Sequence, residues 1–270
     1  MKCALAGIVI VTLSLYSWGS IFNAETGPQA SIPAPIRSAV VVELFTSEGC
    51  STCPPADALL ARLEDEQFID GAEIIALEEH VDYWNQQGWT DPFSSLEWTL
   101  RQQEYAAAFK GDGVYTPQMI VDGRSQFIGS RIREATAGIG EAARRPKTTV
   151  VIAPSKSDKN SDEQFMVTVG KLEEAPAGDS VEVWMAITER GLHSAVSRGE
   201  NAGKELHHAA VLHSMRRIGT ADRSKSSSFS GKASMKVKPA WKRENLRVVV
   251  FAQEKKSRRI LGAASLRIAN

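Results

Sequence analysis

The chain has 270 residues, enough for two ordinary domains, and its 43% hydrophobic and 24% charged composition excludes a disordered or fibrous protein. Basic and acidic residues balance at 32 each, but residues 40–140 hold 6 Lys/Arg against 17 Asp/Glu, while residues 141–270 hold 24 against 14. The two parts thus carry −11 and +10, an asymmetry that marks a boundary. In the basic part Lys and Arg are scattered over strand-like segments with no aromatic-interleaved RNA-binding motif, so nucleic acid is not expected as a partner.

Lys2 followed by the apolar stretch from Cys3 to Val11, with Leu13 and Leu15, has the pattern of an export signal. The cleavage site is poor, since Ser17-Trp18-Gly19 fits the small-x-small rule weakly. Residues 3–22 carry no charge over 20 positions, enough to span a bilayer, so an uncleaved anchor is the alternative. Either way the bulk of the protein is expected outside the cytoplasm, periplasmic or secreted, where disulfides persist. Membrane contact is expected through this segment alone. Residues 1–24 are assigned to the signal or anchor. Residues 25–38, with Gly27, Pro28, Pro33 and Pro35, read as a tether.

An apolar, β-branched strand over 39–45 leads through Gly49 into Cys50-Ser51-Thr52-Cys53 and a helix over 55–68, with Leu59, Leu60, Leu63 and Phe68 on one face. A C-x-x-C between strand and helix is the spacing of a redox dithiol. The helix N-terminus favours a thiolate, which makes Cys50 the nucleophile and Cys53 the resolving thiol. A fixed structural disulfide and half of a zinc site are the alternatives. Structural zinc normally takes four ligands, and Cys3 lies in the export segment. No metal is therefore assigned; copper or zinc at Cys50, Cys53 and His80 is the weaker reading. Glu48 reads as a solvated turn residue.

A second strand over 73–80 follows, then an aromatic loop over 81–93 and a helix capped by Ser94 or Ser95, with Leu96, Leu100, Tyr105 and Phe109 as its apolar face. His80 and Asp82 fall at the strand end where open α/β sheets place their sites. Tyr83, Trp84 and Trp89 form either a wall for a bound partner or a satellite core closing the loop. Thr116-Pro117 leads a strand over 114–123 that turns at Asp122-Gly123 and returns over 126–128, before a helix over 130–143. A cis Thr116-Pro117 bond would set the backbone of Thr116 beside the dithiol, to pair with a substrate strand.

Beyond Pro146 the pattern changes to strands over 148–153, 164–172, 180–188, 206–218, 228–237, 246–253 and 259–268, with period-two alternation. Seven strands with turn formers between them predict an antiparallel sandwich. His207 and His213 share one face of the 206–218 strand and His208 the other, and all three read as surface histidines.

Three strings carry a resemblance: Val42 to Asp57 around the cysteines, His80-Val81-Asp82-Tyr83-Trp84 with Gly88-Trp89 and Asp91-Pro92-Phe93, and Tyr115-Thr116-Pro117-Gln118-Met119 with Val121-Asp122-Gly123. On these the first half resembles the thioredoxin-like superfamily. More narrowly the chain resembles the bacterial exported family called domain of unknown function 1223, continuing through Gly199-Glu200-Asn201 and His208. Glu78-Glu79 departs from the apolar residues expected in a buried strand. The resemblance implies an α/β thioredoxin-like domain over 39–145, and the strand pattern beyond it an all-β, antiparallel sandwich-like domain over 146–270. It also makes Glu43 the candidate proton relay to the resolving cysteine, the alternatives being that Glu43 pairs with a cation or faces solvent.

The leading expectation is an exported thiol–disulfide oxidoreductase using Cys50 and Cys53, with Glu43 assisting and Thr116, Pro117, His80, Asp82, Tyr83 and Trp84 binding a protein or small-molecule thiol or disulfide. No dissociable cofactor is called for. The alternative is a non-catalytic envelope binding or scaffold module in which the disulfide is a staple.

Overall fold

The computed structural model describes residues 37–155, 162–172 and 178–268, so the expected export segment and most of the tether lie outside the described residues. β1 (Ser38–Thr46) and β2 (Ala72–His80) pair in parallel and are joined by α1 (Pro54–Glu66). Strand alternation then sorts the side chains onto two faces. Val40, Val42 and Leu44 of β1 pack with Ile74 and Ala76 of β2 against α1 and α3 (Ile132–Ala143). Val41, Ile75 and Leu77 point the other way, onto the side where α2 (Leu96–Phe109) contributes Trp98. β3 (Gln118–Val121) runs antiparallel to β1, and β4 (Ser125–Ile128) closes that edge as its hairpin partner. The turn between them needs glycine: Gly123 has φ +61°, and a Cβ there would lie 1.9 Å from the Arg258 carbonyl oxygen.

The expected division into a thioredoxin-like α/β domain and a separate all-β sandwich is overturned. The chain is mostly β, and one mixed eight-stranded sheet runs through both halves in the order β13-β12-β7-β10-β2-β1-β3-β4. Its second-half strands are β7 (Val181–Glu189), β10 (Val211–Ala221), β12 (Leu246–Glu254) and β13 (Ile260–Arg267). The join is local: β10 meets β2 in parallel at Val211 and Glu78, and the Glu78 N–H donates to the Ala210 carbonyl at 2.9 Å. This contact covers the side of β2 that a free-standing first domain would leave as an open edge. A shared core supports it, since Val41, Ile75 and Leu77 pack with Ala186, Leu212, Val249 and Phe251. A second layer, β5 (Val150–Ser155), β6 (Asp162–Val169) and β11 (Phe229–Lys236), covers the far half of the large sheet through Phe165, Val167 and Val169. The strand expected over 206–218 is two: β9 (Glu205–His208), which pairs with β8 (Leu192–Ala195), and then β10.

The inner face of α2 also differs from expectation. Leu96 and Leu100 are exposed, and the expected Tyr105 shares its buried face with Trp98, Thr99, Arg101 and Gln102. A buried ion pair selects this face. Arg101 Nε donates to Glu43 at 2.6 Å, Tyr105 also donates to Glu43, and Arg101 Nη1 reaches Gln253 of β12 at 3.3 Å. Glu79, 3.5 Å from Arg101, has no hydrogen-bond partner on either carboxylate oxygen. Burial, and then the neighbouring Glu43, push its pKa well above the ordinary value, so it keeps its proton. With the folded value raised, Glu79 stabilises fully below the unfolded pKa, and the contribution is lost as pH rises. Glu79→Gln, which mimics the protonated acid, is therefore expected to match the parent at about pH 4 and exceed it in stability at about pH 8. The gap should grow by about 1.4 kcal/mol for each pH unit that the parent titrates through. Urea midpoints at the two pH values check this, and a constant difference would sink it.

Candidate functional site

β1 ends at Thr46, and the Cys50 N–H closes a turn onto the Ser47 carbonyl at 3.1 Å. Cys50 and Cys53 form a disulfide, and Cys53 is the N-cap of α1 with no side-chain capping bond. Pro54 and Pro55 occupy the first turn, where their missing N–H groups would lack intrahelical partners anyway. Both cysteines are fully buried, whereas Ser51 and Thr52 are exposed. The loop is fastened from the β8–β9 connection. Asn201 Nδ2 donates to the carbonyls of Glu48 (2.8 Å) and Cys50 (3.0 Å), and the Ser51 N–H donates to Glu200 at 3.0 Å.

Of the residues expected to bind substrate, Trp84 is brought to this loop, and Thr116 to Trp84. The Trp84 indole N–H donates to Thr116 Oγ1 at 2.8 Å, and a side chain at Gly49 would press on Trp84, its Cβ falling 3.1 Å from that of the tryptophan. The Thr116–Pro117 bond is cis, and the carbonyl of buried Pro117 accepts from Gly129 at 2.9 Å. Asp82 and Tyr83 turn instead toward α2, where Asp82 accepts from Thr99 at 2.6 Å and the Tyr83 hydroxyl donates to Gln102 at 3.1 Å. Glu43 lies on the α2 side with Arg101, the cation-paired alternative. A buried acid carried by α1 itself is Asp57, one helical turn after Cys53, and it accepts from Thr46 Oγ1 at 2.6 Å. Burial first, and then the charge of Glu78, raise its pKa to about 7.

Beside the disulfide loop lies a closed cluster of histidines and carboxylates. Alternation along β2 puts Glu78 and His80 on the α1 face, and β9 delivers His208. His80 Nδ1 meets Asp91 Oδ2 at 2.7 Å, and Asp91 also accepts the Glu48 and Phe93 backbone N–H groups. His208 lies between Glu78 Oε1, 2.8 Å from Nδ1, and Glu48 Oε1, 3.0 Å from Nε2. Trp89 donates to the other Glu48 oxygen at 2.8 Å. Phe93 packs edge-on against both imidazoles, with ring centroids 5.4 Å and 5.3 Å away. Burial works against charge on His80, but Asp91 and then Glu78 hold its pKa well above the usual range. His208 is likewise opposed by burial but raised to about 9, chiefly by Glu78. Glu78 and Asp91 are lowered in spite of burial, by the histidines they face. Among the described residues, Glu78, His80 and His208 bring one donor atom each to within 4.8 Å of one another, the spacing of a metal-ligand group.

Two expectations are corrected here. Glu48 is 1% exposed, because its carboxylate is tied to His208 and Trp89. His208 is 3% exposed, so it is no surface histidine; His207 is exposed and stacks on His193. Asp57, Glu78, Asp91 and Asn201 are site residues that sequence reasoning did not select. The available signal was the alternation of Glu78-Glu79-His80, which sets one acid beside the histidine and the other on the opposite face.

Fold and site together define a mixed-sheet protein with a disulfide-closed C-x-x-C at the head of its first helix, next to a buried histidine–carboxylate cluster. The chain belongs to the family described as protein of unknown function DUF1223, which it matches over residues 41–253. A protein of Agrobacterium tumefaciens, known from a crystal structure, is 25% identical over 88% of this chain and 97% of its own, with a TM-score of 0.65. HBP35 of Porphyromonas gingivalis shares the fold at 17% identity, over 86% of this chain and 76% of its own, with a TM-score of 0.58. No match is found among proteins of curated function.

Proposed function

We propose that the protein is an exported thiol–disulfide exchange protein acting through Cys50 and Cys53. The observation that carries this is the disulfide itself, closed at the N-terminus of α1 in a loop whose Gly49 packs against Trp84. The order strand, C-x-x-C, helix, with a Thr-Pro pair ahead of a later strand, is a likeness to thioredoxin-like proteins that supports the same reading. The uncharged run over residues 3–22 supports export. In the reductive direction the Cys50 thiolate attacks a substrate disulfide, forms a mixed disulfide and expels one substrate thiolate. Cys53, as thiolate, then attacks the Cys50 sulfur, re-forms the 50–53 disulfide and releases the second substrate thiolate. The two electrons pass to the substrate, and an external dithiol must return them.

Because both cysteines are buried, exchange requires the 199–201 segment to release the loop that it hydrogen-bonds. That burial also favours a second reading, in which the disulfide is a staple of a non-catalytic binding module. Turbidimetric insulin reduction by dithiothreitol separates the two. The wild-type chain is expected to accelerate it at least about tenfold over Cys50→Ser, with a reduction potential between about −120 and −270 mV. A rate equal to the mutant's, with a potential below about −300 mV, would identify a staple.

A further inference from the structure

We propose that Glu78, His80 and His208 form a binding site for a divalent transition-metal ion of the zinc type, separate from the cysteines. His80 Nε2 and His208 Nδ1 both face Glu78 Oε1, and the three buried residues each bring a donor atom to within 4.8 Å of the others. Tetrahedral zinc at about 2.0–2.1 Å from nitrogen and oxygen ligands sets those ligands roughly 3.4 Å apart. Here His80 Nε2 lies 3.6 Å from Glu78 Oε1, and His208 Nδ1 lies 2.8 Å from it. Shifts of about 0.2 and 0.6 Å bring these two spacings to that value.

The second observation is an unpaired atom. His80 is fully buried, yet its Nε2 has no hydrogen-bond partner, and 3.6 Å to Glu78 is too long for one. A network designed only to satisfy itself would not aim this nitrogen at Glu78 and leave it short. A cation between them supplies the missing partner.

The third is the outer shell. Histidine ligands usually give their other ring N–H to a carboxylate, which fixes the ring and raises its basicity. Both histidines have this arrangement: Asp91 holds His80 at Nδ1, and Glu48 holds His208 at Nε2. Each leaves the converging nitrogen for the metal. Three carboxylates, Glu78, Asp91 and Glu48, thus surround the two imidazoles. Imidazole and carboxylate donors favour zinc and its first-row neighbours over calcium or magnesium. Phe93 packs edge-on against both rings, and a water entering with the ion would take the fourth ligand position. From His208 the outer shell passes through Glu48 into the loop carrying Cys50, so the ion would also stiffen the disulfide loop.

The test uses the chain with its disulfide oxidised, which removes thiolate ligands, after EDTA treatment and dialysis. Titration with Zn2+ by calorimetry is expected to give one site per chain. Co2+ is expected to give d–d bands of four- or five-coordinate N/O ligation without a sulfur charge-transfer band. Glu78→Gln and His208→Gln should each lose the site. Asp91→Asn, which leaves all three ligands in place, should weaken it by about 10–100-fold. His193→Gln, in the exposed His193/His207 pair, is the control for adventitious binding and should leave it unchanged. Circular dichroism shows which variants fold, and the wild-type Co2+ spectrum needs no variant. The proposal is overturned if oxidised wild type binds neither ion, if binding appears only after reduction with a sulfur charge-transfer band, or if His193→Gln loses it while His208→Gln does not.

Discussion

Arg101→Met is expected to destabilise the protein by about 3–5 kcal/mol, the largest effect of any single change considered. Arg101 is buried in α2 and is the cation for two buried acids, Glu43 of β1 and Glu79 of β2. Removing it leaves Glu43 facing a second carboxyl in the interior without its ion-pair partner, and the buried charge cannot reach water. The same guanidinium reaches Gln253, whose amide donates to the Tyr105 hydroxyl at 2.8 Å and the Arg258 carbonyl at 2.7 Å. The loss should therefore be felt on β12 as well as on the first two strands. Urea unfolding at neutral pH measures it. The double variant Glu43→Gln/Arg101→Met should recover a substantial part of the loss, because no buried charge then remains on β1. A single-variant loss under about 1 kcal/mol would show that water reaches Glu43.

The same network explains what was legible in the sequence and what was not. Local order was readable: the β-branched run before Gly49, the diproline start of α1, the Asp122-Gly123 hairpin and the period-two runs of β6, β7 and β12 each lie where their residues predict. The assembly of the two halves was not. It depends on the short meeting of β10 with β2, more than a hundred residues apart in sequence, and no local pattern announces such a contact. The side of the sheet that Glu43 faces is settled by its distant partner Arg101. Glu78 likewise looked anomalous in a buried strand because its partner, His208, arrives 130 residues later. Both acids of the Glu78-Glu79 pair are buried for opposite reasons. Glu78 is ionised against imidazoles on one face, and Glu79 is protonated against Glu43 on the other.

Asp57→Asn is expected to slow resolution of the Cys50 mixed disulfide by about 100-fold or more, the range that a positioned proton acceptor contributes. Asp57 follows Cys53 by one turn of α1, which puts both side chains on the same helix face. Its pKa is raised to about 7, so in the proposed exchange the ionised form that would accept the Cys53 proton becomes the majority above that pH. Wild-type resolution should therefore rise with pH through neutrality, and the rate of the Asp57→Asn variant should follow the thiol alone. Asparagine still accepts the Thr46 hydrogen bond through its side-chain oxygen, so the helix start keeps its anchor. Stability should not fall either: a raised carboxylate pKa means that the ionised form costs folding energy above the unfolded value, and asparagine removes that cost. Quenched-flow trapping of the mixed disulfide on EDTA-treated protein checks the step. An unchanged rate and profile in Asp57→Asn would remove Asp57 from the exchange step and leave Cys53 to be deprotonated by solvent.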